Sequence, residues 1–203
     1  ITDKIYIAYE YKEYPVETKA AIKWTISDDY NIYYMDEYNR DKMAYTLNKI
    51  KLSDTGIDSP VKVDENVTDY CLLNGDRLIY YREIKEESGD IYQDGKQLAT
   101  DVYFDSIVSI KDSDALFYMI DYSTSNDEGT LCCLIKDKQV TVSDNVYSFI
   151  PVSEKNIVYL KDYDTDREKG DLVLYQGNKK KVTIDTEVSV IFNFNNHTVL
   201  PYD

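Results

Sequence analysis

Histidine occurs once in the 203 residues, at His197. A Ser-His-Asp or Cys-His arrangement would have to use it, and no G-x-S-x-G elbow accompanies it. In a turn before the last strand, it reads as a surface residue. Only 7 glycines are present, and no glycine-rich phosphate loop can be found. Cys71, Cys132 and Cys133 have no CxxC spacing and no companion histidines, which argues against a zinc site of four ligands or three plus water. Cys132 and Cys133 are adjacent in an apolar run, so in a strand they point to opposite faces and read as small buried hydrophobes. Three cysteines fit a reducing compartment and many exported bacterial proteins alike. No apolar run approaches the roughly 18 residues of a membrane span. The chain opens at Ile1 with no charged-then-apolar signal pattern, the look of a mature or excised domain. Basic residues are the minority, 23 against 38 acids, for a net charge of −15. That balance opposes binding to nucleic acid or to anionic membranes.

What the chain has in excess is tyrosine, 21 residues of it. Tyrosine suits a half-buried pleated surface, where the ring packs and the hydroxyl reaches water. The tyrosines gather in an octet that returns four times: "NIYYMDEY" (31–38), "RLIYYREI" (77–84), "ALFYMIDY" (115–122) and "NIVYLKDY" (156–163). Each is too short for an ordinary helix and aromatic enough for a strand. The starts at Asn31, Arg77, Ala115 and Asn156 are 46, 38 and 41 residues apart.

Around each octet the same four elements recur: a strand before it (a), the octet (b), a charged loop into a short strand (c), and an alternating strand (d). Turn chemistry agrees, with an Asp-Gly hairpin signal in "QDGK" (93–96) and a Gly-Asn one in "QGNK" (176–179). Four short strands in about 40 residues is the size of a propeller blade. The sequence therefore predicts an all-β single domain over 1–203, a β-propeller of four-stranded blades. Its repeat units are about 19–64, 65–101, 102–143 and 144–185. A fifth blade would close the ring from both termini, with 186–203 as a and b and 1–18 as c and d, which removes exposed edges. A fragment of a larger propeller and a two-sheet sandwich are the competing architectures. In a blade the b strand is covered on both faces, which explains continuous apolar runs in place of strict alternation.

In such a meander the b–c and d–a connections share one rim. The b–c loops carry Glu86, Glu87, Asp127, Glu128, Asp164, Asp166 and Glu168; the d–a turns carry Glu65, Asp101, Asp144, Asp185 and Glu187. The candidate ligand-binding acids are Glu65, Asp101, Asp144, Asp185, Asp164 and Asp166, on a rim that attracts cations or a basic partner. Asp162, Asp164 and Asp166 also take places 1, 3 and 5 of an EF-hand-like loop. Arg167 stands where that loop needs glycine and Val173 where it needs glutamate, so a weak Ca2+ site is the most the pattern supports and a charged hairpin loop is the better reading. No catalytic residue is singled out, although paired carboxylates for glycan cleavage are set by spatial separation and leave no sequence signature.

The rhythm of "NVYSFIPVSEKNIVYLKDY" (145–163) and "YFDSIVSIKDSDALFYMIDY" (103–122) resembles bacterial propeller-like repeat domains of unknown function, related to the TolB-like and YWTD-like repeat group. The YWTD tetrapeptide and the GH and WD pairs of WD40 blades are absent. The resemblance implies an extracytoplasmic setting, secreted or at a bacterial cell surface, and no particular reaction. The expectation from all of this is a non-enzymatic binding or scaffolding domain that recognises a protein or carbohydrate through a rim or channel; a further alternative is an accessory domain of a longer membrane-anchored chain. The alternative is a carboxylate-dependent glycan hydrolase or lyase.

Overall fold

The four octets each begin a strand, and most of the apolar side chains at their centres are buried on one or other of its faces. The computed structural model describes residues 3–9, 11–19, 21–74, 76–85, 87–110, 112–177, 180–192 and 198–199, and among these no helix occurs. In chain order the strands are β1 (Asp3–Tyr9), β2 (Lys12–Thr18), β3 (Ile22–Ile26), β4 (Asn31–Asn39), β5 (Ala44–Ser53), β6 (Gly56–Ile57), β7 (Val61–Leu73), β8 (Arg77–Lys85) and β9 (Ser88–Gln93). They continue as β10 (Lys96–Ile110), β11 (Ala115–Ser123), β12 (Glu128–Ile135), β13 (Lys138–Ser153), β14 (Asn156–Asp164), β15 (Lys169–Gln176), β16 (Lys180–Val188) and β17 (Thr198–Val199). Octets open β4, β8, β11 and β14. From β3 to β16 the strands follow one another in one large antiparallel sheet, with β6 off the path beside β5. The sheet is not closed.

The chain divides into two compact units, residues 1–84 with 92–96, and residues 85–91 with 97–203. In the first unit, the two faces of β4 show why its octet is apolar throughout. Ile32 and Tyr34 join Val16 and Ile50, with Ile7 and Trp24 packed alongside. Tyr33 and Met35 turn the other way, to Leu47, Val67, Tyr70 and Tyr80. Successive strand residues face opposite sides, so a strand covered on both must be apolar at every place. Each such side chain contributes about 1.5–3 kcal/mol relative to exposure. In the second unit, Phe117 and Met119 of β11, Tyr159 of β14 and Tyr175 of β15 share one core with Leu131 and Val146.

Three strands are longer than expected. The d and a segments are continuous in β7, β10 and β13, and the strand changes partners along its length. Val61–Val67 pairs with β5, and Val67–Leu73 pairs with β8. Likewise β13 pairs with β12 up to Val146 and with β14 from Val146 onward. Just before the handover the backbone turns left-handed, at Asn66 (φ 59) and Asn145 (φ 54), with Asp101 (φ 57) in β10. Asn and Asp tolerate this region better than other non-glycine residues. A kink therefore replaces the turn that the sequence suggested.

The Asp94-Gly95 hairpin forms as expected, with φ of 49 and 76 at its two central residues, the values of a type I′ turn. Lys136 and Asp137 adopt the same conformation, φ 46 and 64, without the usual residues. Cys132 and Cys133 are both buried, and burial pushes their thiols up to about 11 and about 12. They pack as small hydrophobes on opposite faces of β12.

Among the described residues the strands do not close into a ring, and the C-terminal part of the expected closing blade lies mostly outside them. β1 and β2 pair with each other, from Asp3↔Thr18 to Tyr9↔Lys12, as a separate two-stranded sheet. Their apolar residues Ile7 and Val16 pack on the β4 face. At the other terminus β16 ends at Val188, residues 189–192 are not in a strand, and β17 pairs with Ser109 and Ile110 of β10. His197 and Asn178 of the "QGNK" turn lie outside the described residues, as does Glu86.

Candidate functional site

Three short pieces of the second unit meet at one open cleft of about 560 Å³, lined by Lys85, Glu87, Ser88, Asp101, Tyr122 and Thr124. Glu87 (φ 76) turns the chain into β9, and its carbonyl accepts a hydrogen bond from the Phe104 amide at 2.9 Å. That bond fixes the b–c loop beside the kink at Asp101. Past the kink, Val102 is buried and Tyr103 emerges half-buried on the other side of β10.

Tyr103 lies flat on Tyr122, with ring centroids 3.8 Å apart and planes within 1°. Tyr122 is the last residue of its octet. Its ring passes over Gly129, where a β-carbon would stand 3.3 Å from Cδ2. Its hydroxyl donates to Asp127 Oδ1 at 3.4 Å. Burial, then the Asp127 charge, raises the pKa of Tyr122; burial, then Asp105 and Glu87, raises that of Tyr103.

A second stack repeats the arrangement. Tyr147 and Tyr163 lie 3.9 Å apart and 8° from parallel. Asn145 and Val146 precede Tyr147 as Asp101 and Val102 precede Tyr103. Tyr163 passes over Gly170, where a β-carbon would stand 3.0 Å from Cδ2, as Tyr122 passes over Gly129. Its hydroxyl donates to the Ser189 carbonyl at 3.1 Å. In the first unit the octet residue at the same place, Tyr38, meets Tyr45 at 4.8 Å and 42°, so no flat stack forms there.

Of the six candidate acids, only Asp101 lines the cleft, together with Glu87 from the neighbouring loop. Glu65 is exposed in the first unit and ion-paired with Lys62, whose hydrogen bond holds its carboxyl below the usual range. Asp144 accepts from Thr130 Oγ1 at 3.3 Å. Asp185 accepts the Thr186 amide at 2.8 Å. Asp164 accepts the amides of Asp166 and Arg167, both at 3.0 Å, which makes it the cap of its own loop. Asp166 is exposed in that loop.

Asp162 faces Lys161 at 2.7 Å and accepts from Asn145 Nδ2 at 3.0 Å. Burial opposes its ionisation, yet these two donors hold its carboxyl below the usual range. Asp162 and Asp164 thus have separate local partners, and among the described residues no group of three or more His, Cys, Asp or Glu side chains converges on a metal position. Sequence reading missed Lys85, Ser88, Tyr122 and Thr124. The signal was the recurring [Asp/Asn]-Val-Tyr at 101–103 and 145–147, each followed by an octet that ends in tyrosine.

No family model matches the chain, and no curated protein matches it. Among solved structures, it resembles a chain described as "Crystal structure of the eukaryotic initiation factor", at 6% identity and a TM-score of 0.40. The match covers 84% of this chain and spans 56% of that one. At that distance the likeness assigns neither fold nor ligand. No helix among the described residues is long and apolar enough to cross a membrane.

Proposed function

We propose that this is a non-enzymatic binding domain that holds a protein or carbohydrate ligand at the rim where the octets end. The observation behind this reading is the cleft, where Tyr122 and Thr124 meet the charged groups Lys85, Glu87 and Asp101 and the Ser88 hydroxyl. Five of its six lining residues are polar or charged, so the cleft offers several convergent hydrogen-bonding groups to a polar ligand. Blade-like repeats suit the role, since they present equivalent loops along one rim.

The repeat reading is supported by recurring backbone features. Glu37, Asp121 and Asp162 hold φ of 54, 51 and 49 at the seventh place of their octets. The pairing of each octet with its next strand shifts register there, between Asp36/Asn39, Ile120/Ser123 and Lys161/Asp164. The extracytoplasmic, cell-surface setting belongs to the same proposal and rests on the resemblance of the repeats.

The second reading, a carboxylate-dependent glycan hydrolase or lyase, draws on Glu87 and Asp101 sharing the cleft. A thermal-shift screen with glycans, calcium and basic polypeptides tests the first reading. A raised Tm that disappears in Tyr122→Ala supports it, and no shift with any of them contradicts it. Release of reducing ends from a bound glycan, lost in Asp101→Asn, would favour the enzyme instead.

A further inference from the structure

Within each unit, the apolar face of one repeat is covered by the octet of the next. In the first unit, Met35, Leu47 and Val63 of β4, β5 and β7 pack against Leu78 and Tyr80, the second and fourth residues of an octet, and against Tyr92 in the strand after it. In the second unit, Phe117, Leu131 and Val142 of β11, β12 and β13 pack against Ile157 and Tyr159, again second and fourth, and against Tyr175 in the strand after them. Tyr92 and Tyr175 hold corresponding places, in "IYQDG" and "LYQGN". The face of β14, β15 and β16 is built in the same register. Leu172↔Asp185 and Val173↔Thr183 match Leu131↔Ser143 and Cys132↔Thr141, with register shifts at the same places. Ile184 therefore takes the place of Val142. Val142 is 2% exposed beneath the following octet, whereas Ile184 is 55% exposed and Val182 40%. We infer that this face docks a partner protein carrying a repeat of the same kind, through an octet hairpin with an aliphatic residue second, a tyrosine fourth, and a tyrosine in its next strand.

Side chains and backbone select the same occupant. Apolar residues left exposed on a sheet face fit a partner whose own apolar residues recur with period two, as in an octet. The backbone past the kink fits an extended strand. After Asn145, the chain from Val146 onward pairs with the octet strand β14. After the corresponding left-handed residue, Glu187 (φ 60), residues 189–192 lie outside any strand, and Val190 is 53% exposed. A strand laid beside them gains main-chain hydrogen bonds, while its second and fourth side chains reach Ile184 and Val182 as Ile157 and Tyr159 reach Val142. A second copy of this chain has no octet to lend. Its fourth-place tyrosines Tyr34, Tyr80, Tyr118 and Tyr159 are all buried in its own cores.

The test titrates the whole chain into a labelled hairpin of residues 156–176, fused to a soluble carrier protein, with fluorescence anisotropy as the readout. The expected result is saturable binding that weakens about tenfold or more with Tyr159→Ala in the hairpin or with Ile184→Asp in the chain. Should Ile184→Asp lose its β-sheet circular dichroism, Ile184→Thr carries the same expectation, because it keeps the branched shape that suits a strand. Asp101→Asn in the chain leaves the affinity unchanged, which separates this contact from the cleft. No saturable binding, or binding that neither Ile184 variant weakens, overturns the inference and leaves the cleft reading standing. Sedimentation of the chain alone supplies the second arm. A concentration-dependent dimer that Ile184→Asp dissociates assigns the face to a second copy and overturns the octet hairpin as its occupant.

Discussion

Replacing Gly170 by alanine tests whether the tyrosine stack is packed as described. Gly170 is buried in β15 opposite Val188, and its φ is not in the left-handed region, so an alanine there meets a purely steric problem. The new β-carbon would stand 2.9 Å from the Lys161 carbonyl oxygen and 3.0 Å from Tyr163 Cδ2. The first neighbour is backbone and yields little, so Tyr163 must move off Tyr147. Overpacking of this kind costs about 1–3 kcal/mol, and loss of an aromatic pair about 0.5–1.5 kcal/mol. Reduced freedom of the unfolded chain returns about 0.4–1 kcal/mol. The net expectation is a loss of roughly 2 kcal/mol, a fall in Tm of about 4–8 °C for a chain of this length. Gly129→Ala is the milder case, since its nearest contact is 3.1 Å, and should cost less. Urea unfolding followed by circular dichroism reads both. A neutral or stabilised Gly170→Ala, or a reversed order of the two, refutes the packing.

Three further outcomes are expected. Asp69→Ala removes a 5%-exposed carboxylate that meets Lys23 at 2.5 Å and accepts the Tyr70 amide at 2.8 Å. Breaking such a pair costs roughly 3 kcal/mol, while Lys23→Met with Asp69→Leu should recover most of it in a double-mutant cycle; additive losses would contradict the pairing. Burial raises Tyr34 and Tyr80 to about 12 from an ordinary 10. A raised folded-state value means the stabilisation is complete below pH 10 and drains as pH climbs toward 12. Phenolate absorbance of the 21 tyrosines should then rise in two stages, the later one together with loss of sheet signal; one reversible stage near pH 10 would contradict it. Lys136→Asn places a residue that tolerates φ > 0 in the Lys136-Asp137 turn and should stabilise by about 0.5–1 kcal/mol, read as a higher urea midpoint.

The parts of the fold written in local sequence were legible. The octets announce strands buried on both faces because "IYYM" and "LIYY" leave no polar place for solvent, and Tyr33 and Tyr34 indeed face opposite cores. Asp94-Gly95 announces its turn by residue type, whereas Lys136-Asp137 makes the same turn with residues that carry no such signal. Closure was not legible, because it depends on which distant strand β1 and β17 choose. "DKIYIAYEY" describes a good strand whatever its partner, and here the partner is β2. The site was half visible. Acids mark the loops, but Tyr103 and Tyr122 meet only through the kink at Asp101 and the small residue at Gly129, a contact set by backbone geometry.

The most direct measurement of the central claim is an amide chemical-shift titration of the labelled chain with the glycan or basic polypeptide that raises Tm most in the thermal-shift screen. Binding at the cleft predicts perturbations that centre on Lys85, Ser88, Asp101, Tyr122 and Thr124. Perturbations confined to the β1–β2 hairpin or to the exposed strand β16, with the rim silent, would contradict it.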